Sequence, residues 1–285
     1  MEWQKSDLSP GLYLVSTPIG TARDITLRAL DTLASADVLA AEDTRTLRHL
    51  MEIHGVPLDG RHVLAYHDHN GKQMRPKIMR LLAEGKSIAY ASEAGTPLVA
   101  DPGYVLAREA ISDGHSVHAV PGASAVLTAL TVSGLPSDRF LFAGFPPSAK
   151  AARRAFIKEV SQVSATLILY ESPKRIGNLL TELVECCGPD RHGVVCRELT
   201  KRFEEIARGT LSELAERFET PPKGEIVLLL DRPEEMRASE ADLDAALASA
   251  LETMSVKDAA DAVSKALGLP RRDVYQAALG RAKKD

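Results

Sequence analysis

The sequence predicts an α/β protein: two α/β domains followed by a small helical appendage. Three observations carry this. Short apolar runs alternate with helical stretches of roughly ten residues, the pattern of βαβ units on a parallel sheet. The cycle starts again near Pro121-Gly122. From about residue 233 it gives way to Ala-rich helical stretches without strands. A chain of 285 residues is long enough for two such domains with ample core. The expected divisions are 10–121, 122–232 and 237–285.

The first strand is Leu12-Tyr13-Leu14-Val15, running into "STPIG". A helix follows, with Thr26 as its N-cap and Leu27, Leu30 and Leu33 on one face. "ADVLAAEDTR" holds a second buried strand ending in polar residues, then a short helix from Thr46 to Gly55. "SIAYAS", Tyr104 to Gly114 and "VHAV" continue as strand, helix and strand. In the second cycle, strands are expected at 140–144, 165–170, 193–196 and 225–230. Helices are expected at 150–163, 174–187 and 211–218, with Ser172-Pro173 as N-cap and first residue of the second. In the tail, Ser255 caps a helix, Gly268 ends it and Pro270 opens the last.

Composition narrows the function classes. At 45% hydrophobic and 26% charged, the chain is ordinary for a globular protein. A net charge of −4 gives no bulk attraction to nucleic acid, so an RNA partner must be held by local patches. Lys150 with Arg153-Arg154, Lys201-Arg202, Arg271-Arg272 and Lys283-Lys284 are such patches, or solvated faces. Cys186, Cys187 and Cys196 form no C-x-x-C, and the eight histidines have no ligand spacing, so no metal is expected. Without a signal peptide or a long apolar run, the expectation is a soluble cytoplasmic protein.

Two loops at strand ends carry the chemical interest: "STPIG" (16–20) and "SEAGTPLVADPG" (92–103). In an open α/β sheet, ligands sit beyond the carboxyl ends of the strands. Neither loop fits a dinucleotide or P-loop fingerprint. Chemistry agrees, because a phosphate cradle needs converging N–H groups and Pro18, Pro97 and Pro102 have none. Such loops offer carbonyl acceptors, small side chains and a fixed backbone. They suit a ligand with cationic or donor groups: an ammonium, an adenine amino group or a sulfonium. Tight turns with no ligand are the plain alternative.

Seven blocks occur in order: "YLVSTPIGTARDITLRAL", "AAEDTR", "YHDHN", "SEAGTPLVADPGY", "VPGASA", "LYESPKR" and "CRELTKRFEE". Together they resemble the ribosomal RNA small subunit methyltransferase I family, a branch of the tetrapyrrole methylase superfamily. The resemblance spans residues 10 to 231, and the tail is similar too. It implies a cleft between the two α/β domains and S-adenosylmethionine as cofactor. It further implies 2′-O-methylation of a cytidine in the decoding region of 16S rRNA, on the small ribosomal subunit, by a homodimer. By motif position, cofactor contacts fall on Pro18, Ile19, Ala94, Gly95, Thr96 and Val99, and on Ser124, Ala125, Glu171 and Leu199. Glu93, Thr21 and Lys174 depart from the family pattern, which has Asp, Asn and His there.

Methyl transfer to a ribose hydroxyl needs the hydroxyl positioned and, with benefit, its proton removed. The candidate acceptors or orienters are Glu171, Asp43 and Asp101. Asp43 or Thr44 could equally cap a helix. Arg45 is a candidate for orienting the substrate, and His67 and Asn70 for reaching a base edge, or these are ordinary loop polar groups. Lys174 and Arg175 sit where a helix dipole disfavours cations, which points to an anionic partner such as RNA phosphate. Lys201 belongs to "RELTKRFEE", where ordinary ion pairs are also expected. The tail has the spacing of a small helix-turn-helix, either a helical cap or an RNA grip using Arg271 and Arg272. Two other functions stay open: methylation of a small tetrapyrrole, and a non-catalytic role in ribosome assembly.

Overall fold

The computed structural model describes residues 3–67, 69–100, 103–233 and 240–282. They fall into two compact units that divide between Arg232 and Pro233.

The larger unit contains two five-stranded sheets. Its first half runs β1 (Gly11–Val15), α1 (Leu27–Ser35), β2 (Val38–Ala41), α2 (Thr44–Ile53), β3 (Val63–Ala65), α3 (Gly71–Ala83), β4 (Ser87–Ala91), α4 (Tyr104–Ser112) and β5 (Val117–Val120). The strands lie in the order β3-β2-β4-β1-β5, each neighbouring pair parallel. Successive strand residues face opposite sides. Tyr13, Val15, Ala89 and Ala91 therefore join one core layer, while Leu12, Ile88 and Tyr90 join another. The Thr26 hydroxyl accepts from the Ala29 N–H at 3.1 Å and starts α1 as the sequence predicts. β3 and α3 fall in a stretch for which the sequence reading gave no element.

This strand order creates a switch point. From β1 the chain leaves towards β2, whereas from β4 it reaches β5 on the other side. β1 and β4 are neighbours, so their following loops diverge and leave a crevice at the carboxyl ends.

The second half runs α5 (Ala125–Ser133), β6 (Phe140–Phe142), α6 (Lys150–Val160), β7 (Thr166–Glu171), α7 (Ile176–Cys187), β8 (His192–Arg197), β9 (Glu205–Thr210), α8 (Leu211–Arg217) and β10 (Ile226–Leu230). Its order is β6-β7-β10-β8-β9, and only β6–β7 is parallel. The parallel sheet expected from the alternation thus holds for the first half alone. β8 and β9 are joined by a short loop, which permits only antiparallel pairing. Ser172-Pro173 is not the cap and first residue of α7. Residues 173–175 form a turn, the Ser172 carbonyl accepts from Arg175 and Ile176 N–H, and Arg175 takes the N-cap position.

A buried ion pair ties α6 to α7: Arg153 reaches both carboxylate oxygens of Glu182, at 2.8 and 2.7 Å. At the start of α8, Thr210 and Glu213 form a capping box.

The smaller unit contains α9 (Glu240–Leu251), α10 (Val256–Leu267) and α11 (Arg271–Ala282) around Leu247, Ala260, Val263, Val274 and Ala278. Ser255 caps α10 and Gly268 ends it at φ +65°. No helix among the described residues is long and apolar enough to cross a membrane.

Candidate active site

The crevice at the switch point is where the two Pro- and Gly-rich loops meet. Thr17 and Gly95 exchange backbone hydrogen bonds of 3.0 and 3.1 Å, locking the loops together. The Ser92 hydroxyl donates to the Gly95 carbonyl at 2.6 Å, and the Thr96 hydroxyl to the Ala123 carbonyl at 3.0 Å. Gly95 adopts φ +85°, and a Cβ there would approach Ile19 Cγ2 at 3.3 Å. Two non-glycine residues of the same loop, Leu98 and Ala100, also have positive φ, +72° and +59°.

The facing wall comes from the second sheet. Its β8–β9 loop holds Glu198 and Thr200 at φ +52° and +65°. So four of the five non-glycine residues with positive φ among the described residues lie on the two loops that face each other here. Backbone strain of this kind costs roughly 1–3 kcal/mol per residue and gathers at functional sites. The walls are joined: Thr21 N–H donates to the Thr200 hydroxyl at 3.1 Å, and the Thr21 hydroxyl donates to the Thr200 carbonyl. Gly224 leaves the room that Glu198 needs, because a Cβ there would come within 2.3 Å of Glu198 Cγ.

Between the walls lies a cavity of about 490 Å³. Of the sequence-predicted cofactor residues, Ile19, Ala94, Ala125, Glu171 and Leu199 line it. Pro18, Gly95, Thr96, Val99 and Ser124 belong to the loops and helix start that carry those residues, one or a few positions away. Four carboxylates border the cavity, from Glu42, Glu93, Glu171 and Glu225. Such a lining favours a cationic ligand and opposes a phosphate.

Glu171 stands apart from the other three. It ends β7 and is only 3% exposed. One oxygen, Oε1, accepts from Ser172 N–H at 2.8 Å. The other, Oε2, lies 3.2 Å from Arg175 Nη2 but makes no hydrogen bond among the described residues. A buried carboxylate oxygen left without a donor is costly, and a ligand hydroxyl would satisfy it.

The other candidates are engaged in ways that narrow their roles. Asp43 caps α2, accepting from Arg45 and Thr46 N–H at 2.7 and 3.3 Å. Those bonds, the Arg45 N–H foremost, hold its carboxyl below the usual range. Arg45 is exposed and reaches that carboxylate at 3.3 Å. Asn70 closes its own loop, accepting from His67 N–H at 2.9 Å and donating to the Ala65 carbonyl at 3.0 Å. His67 keeps a buried Nδ1 without a hydrogen-bond partner among the described residues. Arg175 donates to the carbonyls of Pro146 and Pro147, whereas Lys174 is exposed. Lys201 bridges Glu198 and Glu225 at 3.0 and 2.7 Å. Burial pulls its ammonium down, but these two hydrogen bonds outweigh it and raise the group. Arg271 pairs with Asp261, and Arg272 is exposed. Asp101, Lys283 and Lys284 lie outside the described residues.

Sequence reasoning missed part of the lining. Tyr170 and Cys196 face the cavity, but burial pushes each up to about 12, so neither is a base near neutral pH. Phe145 and Glu225 also border it. They lie at the ends of two expected strands, 140–144 and 225–230, outside the motif blocks, and only the fold brings them here.

Residues 11–215 match the tetrapyrrole (corrin/porphyrin) methylase family, and residues 237–282 match the RsmI C-terminal HTH domain. Among solved structures, a cobalt precorrin-4 methyltransferase of cobalamin biosynthesis has a TM-score of 0.59. It is 20% identical, and the match covers 77% of this chain and 94% of that one. Fold and site thus define a methyltransferase of the tetrapyrrole methylase class. Curated relatives are nearer in sequence. Ribosomal RNA small subunit methyltransferase I of Mesorhizobium japonicum is 47% identical, over 94% of this chain and 91% of its own. That of Erythrobacter litoralis is 45% identical, over 95% of each. The chain belongs to the ribosomal RNA small subunit methyltransferase I family.

Proposed function

We propose that the protein uses S-adenosylmethionine to methylate the ribose 2′-oxygen of a cytidine in the decoding region of 16S rRNA. One observation carries the reading: the donor-poor, proline-fixed loops of one sheet and the buried, half-satisfied carboxylate of Glu171 border the same cavity. Family membership supports the choice of rRNA as substrate class.

The residues present fit the cofactor. Its sulfonium suits the carboxylate-lined cavity, and its adenine amino group suits backbone carbonyls that Pro18 and Pro97 leave without neighbouring donors. Pro18, Ile19, Ala94, Gly95, Thr96 and Val99 hold it from the first half, and Ser124, Ala125, Glu171 and Leu199 from the second. When bound, S-adenosylmethionine supplies an electrophilic methyl group. The protein's contribution is to orient the ribose and to exclude water. Glu171 Oε2 receives the hydroxyl proton. Asp43 is a weaker base, because its oxygens already serve the α2 cap. Arg45 and Lys174, both exposed, meet phosphates at the rim. We place the two α/β domains at 10–121 and 122–232, and the tail at 237–285. The working form is a cytoplasmic homodimer acting on the small subunit.

The test is transfer of radiolabelled methyl from S-adenosylmethionine to small subunits lacking the modification, followed by nucleoside mass spectrometry. Label in 2′-O-methylcytidine is expected. Label in a base, or none on active control subunits, would overturn the reading.

A further inference from the structure

Phe145 is the least expected residue at the cavity. The residue is 56% exposed although it borders the site, whereas Ile19 and Leu199 of the same lining are 8% and 6% exposed. An aromatic side chain held open to water beside a cavity is held at a cost that a planar ligand would remove.

The local sequence fixes the ring in place. Gly144 takes φ +70° and turns the chain out of β6. Its carbonyl accepts from Tyr170 N–H at 3.0 Å, tying the turn to β7. Phe145 precedes Pro146, which confines its backbone to extended conformations. Arg175 then clamps the next two carbonyls, Pro146 at 2.6 Å and Pro147 at 3.2 Å. Beneath the loop, Tyr170 meets Phe145 edge-on with ring centroids 5.5 Å apart and Phe142 with centroids 4.8 Å apart. The result is a rigid aromatic platform, with little conformational freedom left to lose on binding.

Its position within the site selects the ligand. Ile19 and Leu199 give the cavity buried apolar lining for the cofactor, whereas Phe145 keeps its side chain open to solvent. The ring is left for whatever enters from outside. Lys174, exposed on the turn after β7, supplies a cation on the neighbouring loop. An aromatic face with a flanking cation is the usual means of gripping an unpaired nucleotide, the face for the base and the cation for its phosphate.

We propose that Phe145 is a substrate-binding residue, on whose ring the base of the target nucleotide stacks once it has left its helix, and that Arg175 is the positioning residue that holds the platform. The inference rests on the rRNA methylation reading above. Stacking is face-wise and sequence-tolerant, so Phe145 secures the nucleotide's entry rather than the choice of base.

The experiment compares the wild-type full chain with Phe145→Ala and Phe145→Trp. Two quantities are measured: calorimetric affinity for S-adenosylmethionine without RNA, and single-turnover methyl transfer across a range of small-subunit concentrations. For Phe145→Ala, cofactor affinity should stay within about 2-fold, while transfer at limiting subunits falls on the order of 10-fold. Phe145→Trp should restore transfer, which a purely structural ring would not require. A fall in cofactor affinity with unchanged subunit dependence would overturn the proposal in favour of adenine stacking. Full transfer by Phe145→Ala would overturn it outright. The wild-type lane separates the two readings: if it gives no 2′-O-methylated nucleoside, the rRNA reading fails and this inference falls with it. If it succeeds, only the platform is on trial.

Discussion

The two walls of the cavity are built by different means. The wall from the first sheet is made of backbone: Thr17 and Gly95 lock two loops together, prolines remove donors, and small side chains leave space. Each wall brings two carboxylates to the lining, Glu42 and Glu93 from the first; the second adds Glu171, paired with Arg175, and Glu225, paired with Lys201, which also holds Glu198. The first wall is therefore vulnerable to changes of shape and the second to changes of charge and pH. With cofactor contacts proposed on both walls, Glu171 is the residue that would also handle the hydroxyl.

The sharpest way to break the comparison is Gly95→Trp. At φ +85°, with Ile19 already 3.3 Å from a first side-chain carbon, an indole must strain the loop and fill the cavity. Calorimetry should detect no binding of S-adenosylmethionine, while circular dichroism and melting temperature show a folded protein. Wild-type affinity would remove this wall from the site.

On the other wall the corresponding change is Glu171→Gln, which keeps the shape and loses the charge. Methyl transfer should fall by roughly 100-fold or more, the usual loss for a general base, with cofactor affinity far less affected. Transfer at the wild-type rate would mean that positioning alone activates the hydroxyl.

How far the sequence revealed this arrangement follows from the same contrast. The backbone wall was legible because Gly and Pro carry local conformational information. "STPIG" and "SEAGTP" announce donor-poor loops at strand ends before any fold is known. The charged wall was only half legible. Glu171, Lys201 and Arg175 stood out as residues, but their partners lie far along the chain: Glu225 is 24 residues from Lys201, and Pro146 is 29 from Arg175. Asp43 fits both a cap and a substrate contact in sequence, and its bonds to Arg45 and Thr46 N–H make it a cap. β9 went unseen because Glu205, Arg208 and Gly209 interrupt any apolar run, its strand state being set by pairing with β8. α3 was obscured by Pro76, which sits inside the helix.

Acid offers a smaller but more general test. In the second half, Asp138, Glu182 and Glu205 are held below the usual carboxylate range by hydrogen bonds from Arg232, Arg153 and Arg197 respectively, and Glu198 by the Glu225 N–H. In the first half only Asp37 and Asp43 are similarly held among the described residues, chiefly by backbone N–H groups. A group whose folded value is depressed gives its full stabilisation above its unfolded value, about 4, and loses it as the pH falls through the folded one. Hydrogen exchange measured downwards from pH 5, corrected for intrinsic rates, should therefore show β7–β10 losing protection before β1–β5. Simultaneous loss in both sheets would mean that these pairs are too well solvated to matter.

The smallest effect is expected from the tail. Its basic residues offer charge without shape: Arg271 is paired to Asp261 at the surface and Arg272 is exposed. Contacts of that kind hold RNA through its phosphates and carry no sequence information. Arg271→Glu with Arg272→Glu should weaken small-subunit binding several-fold while leaving cofactor affinity unchanged. It should also lower the slope of log affinity against log salt by about 1.4, the amount two lost phosphate contacts on a single strand would account for. Because an ion pair this exposed adds little to stability, losing the Asp261 contact should barely move the melting temperature. An unchanged affinity with an unchanged salt slope would take these arginines off the RNA surface and leave the approach to the subunit to Arg45 and Lys174.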